Sequence, residues 1–373
     1  MPSFRSCLLT SALCLSSLVA LAQTSNAPTL KDAFQSAFLI GTALNTGQIT
    51  GRDAKDDAII SAQFNAISPE NVLKWEIIHP RPDTYDFTMA DQYVDFGVKH
   101  HMFIVGHTLC WHSQTPAWVF KDDNGNPISR DALLQRLHDH IQTVVGRYKG
   151  KIGSWDVVNE ALNEDGTLRQ SQWEKIIGDD FIIKAFQYAH EADPNVQLTY
   201  NDYNLETPAK RKGAIDLVKR IKAAGVPIAI VGDQAHLHLD SPTAEEEDAT
   251  VSELAAAGVK VAITELDIDV LPSAWGPTAD VSLNIKDNPK LNPYPNGLPD
   301  DVQKALAKKY PDLFAVYWKH RDVVTRVTLW GVTDRDSWLN NWPVRGRTSY
   351  PLLFDRDGNP KPAAYAVIGA AAH

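Results

Sequence analysis

Gly153-Ser154-Trp155-Asp156-Val157-Val158-Asn159-Glu160 is the stretch on which the fold turns. It is short, β-branched and largely apolar, as a strand buried on both faces should be, and it stops on an amide and a carboxylate. A charge at the end of such a run is costly unless a function keeps it there. Outward from it the same format recurs. Apolar runs stand at 38–43, 65–67, 102–106, 196–200, 228–231, 259–263 and 327–330, eight with the first. Amphipathic stretches lie between them, at 131–147, 208–223, 243–256 and 300–320 among others. Thr207 before Pro208 has the form of a helix start. Ser241-Pro242-Thr243 leads into Glu245, Glu246 and Glu247, where acids offset a helix N-terminus. Gly225 and Gly258 sit just past helical ends. Strand–helix alternation repeated eight times predicts an α/β chain folded as a single (β/α)₈ TIM barrel. Its active site should lie at the C-terminal ends of the strands.

Composition narrows the function. The 373 residues are 44% hydrophobic and 22% charged, enough apolar material for a core and unlike a disordered chain. Lys and Arg number 36 against 46 Asp and Glu, a net charge of −10. A neutral substrate is expected and nucleic acid is not. Arg5, an uncharged apolar stretch over 7–21 and Ala20-Leu21-Ala22 have the pattern of a cleaved leader. Residues 1–22 are therefore expected to be a signal peptide and 23–373 the catalytic domain, secreted to the periplasm or the medium. No later stretch is apolar enough to span a membrane. Cys7 and Cys14 would leave with the leader, and Cys110 is expected to be buried rather than reactive. Segment 271–299, with six prolines and four asparagines, fits no barrel element. It follows the seventh run, so a place on the active-site face is expected.

Two carboxylates end different strands: Glu160, and Glu265 in Val261-Ala262-Ile263-Thr264-Glu265. Asn-Glu alone says little, since Asn163-Glu164 repeats it in a loop. Position at a strand end is what sets Glu160 apart. Two carboxyls aimed at one barrel mouth are the minimum apparatus for cleaving a glycosidic bond: one protonates the leaving oxygen, the other attacks the anomeric carbon. Other strand ends offer groups suited to sugar hydroxyls and C–H faces. These are Glu70, Asn71, Lys74 and Trp75; His107, Trp111 and His112; Asn201, Asp202, Tyr203 and Asn204; Gln234, His236 and His238; and Trp330, Trp338 and Trp342. The histidine spacings do not resemble a two-His helical zinc site. No Gly-x-Ser-x-Gly nucleophile elbow and no phosphate-cradling glycine loop occur.

Taken together, the motifs resemble glycoside hydrolase family 10 endo-β-1,4-xylanases over essentially the whole chain after residue 22. They are Glu70-Asn71 with Lys74-Trp75, His107-Thr108-Leu109-Cys110-Trp111-His112, Trp155 to Glu160, Asn201-Asp202-Tyr203-Asn204, Gly232-x-Gln234-x-His236 and Thr264-Glu265-Leu266-Asp267. The resemblance implies a retaining mechanism with Glu160 as acid/base and Glu265 as nucleophile. Asn159 would bind the 2-hydroxyl, and His236 would hold Glu265 ionised with Asp267 behind it. Glu70, Asn71, Lys74, His107 and Trp338 would line the glycone subsites, Trp111 and Trp330 would wall the central sugar, and Tyr203 and Gln234 would lie near the cleavage point. It also implies xylan and xylo-oligosaccharides as substrates, a monomer, and no cofactor or metal. Two positions depart from the pattern: Asp233, where an apolar or small residue is usual, and Leu73, where Met is commoner. No further module is expected after the helix near 362–370. The alternatives are another retaining barrel glycosidase such as a cellulase, a glycan-binding protein without turnover, and a metal-dependent hydrolase.

Overall fold

Nine parallel strands form the centre of the computed structural model, which describes residues 28–274, 285 and 288–371. The expected signal peptide lies outside these residues, as does the middle of segment 271–299. The strands are β1 (Leu39–Leu44), β2 (Ala66–Pro69), β3 (Phe103–Trp111), β4 (Ser154–Asn159), β5 (Gln197–Asp202), β6 (Ile230–Asp233), β7 (His236–His238), β8 (Lys260–Asp269) and β9 (Val324–Leu329). Neighbours run from β6 back to β1, then to β9 and β8, and β6 pairs with β8 to close the ring. The closing registers are Leu39 with Arg326 and Ile230 with Lys260. Strand β7 pairs with β8 and continues β6 past a break at Gln234 and Ala235, where Ala235 takes φ +57°. The barrel thus has eight staves, the sixth broken, with helices around it as expected.

Every apolar run found in the sequence lies on a stave, but several staves run further. The second reaches Pro69, the third Trp111 and the seventh Asp269. Their extensions carry His107 and Thr108, which read as loop because they are polar, and Thr264, Glu265 and Asp267. Inside the barrel each finds a partner: Thr108 Oγ1 donates to the Asp156 carbonyl at 2.8 Å, and Thr264 Oγ1 to Asn201 Oδ1 at 2.6 Å. Buried polarity of this kind is stable only when satisfied, and a sequence window cannot show that.

The helices form where the apolar period placed them. Arg130–Arg147 starts on the Ser129 cap and buries Leu133, Leu137, Ile141, Val144 and Val145 against Phe181–Ala192, each side chain contributing about 2 kcal/mol of gross burial. Ala244–Ala256 opens on a capping box: Thr243 Oγ1 accepts from the Glu246 N–H, and Glu246 accepts from the Thr243 N–H. Gly225 and Gly258 end their helices at φ +74° and +79°. Glu247, one of the three acids in the first turn of Ala244–Ala256, is fully buried. Cys110 is buried and free, and burial pushes its thiol pKa up. No helix among the described residues is long and apolar enough to cross a membrane.

Candidate active site

At the C-terminal ends of the strands a cleft of about 410 Å³ opens. Its walls include Glu70, Asn71 and Lys74 after β2, His107 and Trp111 on β3, and Asn159 and Glu160 at the end of β4. Gln234 and His236 come from the broken sixth stave, Glu265 from β8, and Trp330, Trp338 and Trp342 from the chain after β9. Twelve of the thirteen catalytic or substrate-binding residues expected from the sequence, all but Tyr203, converge here. Ser113 and Gln114, which strand-end reasoning did not name, complete one wall.

Glu160 and Glu265 belong to one hydrogen-bond network. Glu160 Oε2 accepts the Trp111 indole N–H at 2.8 Å, while Oε1 accepts the amides of Gln234 at 3.0 Å and Asn159 at 3.1 Å. Its backbone sits at φ +55°, a conformation that non-glycine residues adopt mainly where the surroundings impose it. Glu265 Oε1 accepts the Asn201 amide at 2.8 Å, and that amide also reaches Asn159 Oδ1 at 2.9 Å. Asn201 therefore links the two halves of the site, although the family resemblance assigned it no role. Gly232 makes room for it, since a Cβ there would stand 2.4 Å from Asn201 Oδ1.

The two carboxyls differ in their electrostatic surroundings. Those hydrogen bonds to Glu160 all come from neutral N–H groups. Glu265 faces His236 Nε2 at 3.3 Å, and His236 Nδ1 lies 3.0 Å from Asp267. Burial alone would raise the Glu265 pKa. The His236 hydrogen bond, the charges of His107 and His236 and the Asn201 amide outweigh it and hold the carboxyl below its ordinary value. Burial likewise opposes protonation of His236, but the Asp267 and Glu265 carboxylates overcome it and raise its pKa to about 10. Trp338 fixes this relay by donating its indole N–H to Asp267 Oδ2 at 2.7 Å. Asp267 thus stands behind His236.

The Lys74 ammonium donates to Asn71 Oδ1 at 2.9 Å and Gln114 Oε1 at 2.8 Å, and lies 4.9 Å from the centre of a Trp111 ring. Burial lowers its pKa against the pull of Glu265, Glu70 and Glu160. Burial also raises that of Glu70. On β3, His107 Nδ1 pairs with Asp156 at 3.0 Å. Such a surface, with flat indoles beside amides and charges, can hold both faces and rims of sugar rings.

Some expected residues face elsewhere. Tyr203 does not line the cleft. It is buried one layer behind Glu160, its hydroxyl accepting from Arg169 Nη2 at 2.8 Å while Arg169 Nε donates to the Glu160 carbonyl at 3.1 Å. The expectation of a direct sugar contact is corrected accordingly: the ring is clamped against the Lys210 ammonium, 3.3 Å from its centre. Trp75 belongs to the core, stacked on His140 at 3.6 Å. Asp202 is buried against Lys210 at 3.0 Å, and Asn204 turns away to Glu164 at 3.1 Å. His112 and His238 also lie off the cleft wall.

Comparison with known proteins agrees with this geometry. The model of glycosyl hydrolase family 10 matches residues 29–370. The chain is 48% identical over 345 residues to endo-1,4-beta-xylanase A of Xylanibacter ruminicola, covering 92% of this chain and 93% of that protein. Among solved structures, a GH10 endoxylanase retrieved from a sugarcane soil metagenome superposes with a TM-score of 0.88 at 50% identity, covering 91% of this chain and 99% of the other. A variant protein solved in complex with xylotriose has a TM-score of 0.82 at 38% identity, covering 91% and 99%. The family match, a shared barrel and identity sustained along almost the whole length lead to one assignment: the chain belongs to glycosyl hydrolase family 10.

Proposed function

We propose that the chain is an endo-1,4-β-xylanase that hydrolyses internal bonds of xylan with retention of configuration. The observation that carries this reading is the contrast between Glu265, paired with a cationic imidazole, and Glu160, held by neutral donors, across one aromatic-walled cleft.

Glu265 attacks the anomeric carbon while Glu160 gives its proton to the departing glycosidic oxygen, which leaves a glycosyl ester on Glu265 and a free sugar end. Glu160, now a carboxylate, takes a proton from water as that water attacks the same carbon, and Glu265 leaves as a carboxylate. Both steps balance with water as the sole co-reactant, so no cofactor is required. Asn159 is placed to meet the 2-hydroxyl, where a hydrogen bond that strengthens in the transition state lowers the barrier. The remaining wall residues, Glu70, Asn71, Lys74, His107, Trp111, Gln234, His236, Trp330 and Trp338, hold the xylan chain across the cleavage point. The leader-like pattern over 1–22 supports export to the place where xylan is met, with the enzyme acting as a monomer.

Rates on soluble xylan and on carboxymethylcellulose, measured for the wild type, Glu160→Ala and Glu265→Ala, test the proposal. Xylan should be strongly preferred, and Glu265→Ala should lose more than about a thousandfold because only binding and positioning remain. Proton NMR of the first product should show the β-anomer. Equal rates on the two polymers would point to a cellulase, and an unaltered rate in Glu265→Ala would defeat the mechanism.

A further inference from the structure

Asp233, one of the two departures from the family pattern, sits at the end of β6 with its side chain turned away from the cleft into a buried cluster of carboxylates. Glu206, from the loop after β5, and Glu247, from helix Ala244–Ala256, meet it there. One oxygen from each lies within 4.8 Å of the others, and all three residues are buried. Asp233 Oδ2, Glu206 Oε1 and both oxygens of Glu247 accept no hydrogen bond. A fourth group points the same way. Tyr317, fully buried on helix Asp300–Lys319, directs its hydroxyl toward Glu247 without completing a hydrogen bond.

Surrounding cations are committed elsewhere. Arg211 gives Nε and Nη2 to Glu253 at 3.0 Å and Nη1 to the Glu206 carbonyl at 2.9 Å. Lys210 pairs with Asp202, and Lys309 donates to the Pro242 carbonyl. Desolvation, then the charge of Glu206, raises the Asp233 and Glu247 pKa values, that of Glu247 to about 8. Three buried carboxyls with orphaned oxygens must be neutralised, by shared protons or by a bound cation.

We propose that Glu206, Asp233 and Glu247 bind a structural divalent cation of the hard, oxygen-seeking class, Ca²⁺ or Mg²⁺. Carboxylate oxygens without His or Cys select such ions over Zn²⁺, and oxygens held within 4.8 Å of one another suit metal–oxygen distances of about 2.0–2.6 Å. The ion fastens the end of β6 to the loop after β5 and to helix Ala244–Ala256. Asp233 immediately precedes Gln234, Ala235 and His236, the broken stave that presents an amide to Glu160 and an imidazole to Glu265. The cation is thus a brace behind the cleft with no contact to substrate. Its ligands come from three elements, and sequence spacing could not have disclosed it.

The test is calorimetric titration of chelator-treated full-length protein with CaCl₂ and with MgCl₂, alongside melting temperatures. The wild type should bind one ion per chain and melt about 5 °C higher at saturation. Asp233→Ala and Glu247→Gln should each lose the binding heat and the calcium-dependent rise. Melting in chelator should be no lower than that of chelated wild type, since a repelling carboxylate has been removed. Glu247→Gln keeps the side-chain shape and carries the test should Asp233→Ala fail to fold. No binding by the wild type, or unchanged binding by the folded variants, would overturn the proposal. A wild type that binds no ion while both variants melt higher would assign the pocket to shared protons instead.

Discussion

Asn201 donates its side-chain amide to Glu265 Oε1 at 2.8 Å, and the Thr264 hydroxyl holds that amide in place by donating to Asn201 Oδ1 at 2.6 Å. The same nitrogen reaches Asn159 Oδ1, so the orientation of Glu265 and that of the Asn159–Glu160 pair depend on one side chain from β5. A hydrogen bond to a charged group is worth about 1.5–3 kcal/mol. Asn201→Ala should therefore lower kcat by roughly 10- to 100-fold, with a smaller change in KM. Steady-state kinetics on xylo-oligosaccharides will show it.

Gly232 is a steric permit for that same amide. A methyl at Gly232 meets Asn201 Oδ1 at 2.4 Å and Thr264 Cγ2 at 2.9 Å, and one of them must move. Overpacking of this kind costs about 1–3 kcal/mol. Gly232→Ala should lose both stability and kcat. Denaturant unfolding and kinetics on the same preparation will separate the two losses.

The pH profile follows from the His236 pair. Glu265 must be ionised to attack, and its depressed pKa places the acid limb of kcat/KM below the ordinary glutamate range, around 4.5. His236→Asn removes the hydrogen bond and the positive charge, leaving burial unopposed, so the acid limb should move to higher pH. Stability has the matching signs. The His236 contribution is complete below its unfolded pKa, about 6.5, and is lost as pH rises through about 10. That of Glu265 is present above its unfolded value and lost as pH falls through its depressed one. Activity profiles and melting curves across pH, for wild type and variant, check both.

Another buried pair anchors the chain after β9. Lys361 Nζ lies 2.9 Å from Asp334 Oδ2, and the Asp334 carboxyl also accepts the Leu352 N–H at 2.8 Å. Burial raises the Asp334 pKa to about 6 despite the lysine. Lys361→Met strands a buried carboxyl and should destabilise by about 3 kcal/mol. The double change Lys361→Met with Asp334→Asn should recover part of that loss. Urea unfolding of the four proteins gives the coupling.

The barrel was legible because its signals are local. Apolar runs of strand length, helix caps such as Thr243 with Glu246, and the glycines at 225 and 258 each act within a few residues, and each forms the expected element. Glu160 and Glu265 were legible for a related reason: a charge that ends an apolar run is conspicuous whatever surrounds it. The family motifs then supplied roles that spacing could not.

Direction was not legible. Tyr203, Trp75 and Asp202 read as mouth residues because they follow strands, yet Arg169, His140 and Lys210, all distant in sequence, draw them behind the wall. Glu247 read only as one of three acids at a helix N-terminus, yet the rotation of its helix turns it onto Asp233 and Glu206. The sequence alone determined which elements form, their order around the barrel and the two carboxyls at its mouth, because periodicity and capping are short-range forces. Only the tertiary structure decided which way each polar side chain faces and which one bridges the site. Those choices rest on partners brought together from staves and helices tens of residues apart, where a buried donor or charge must find its complement or be excluded.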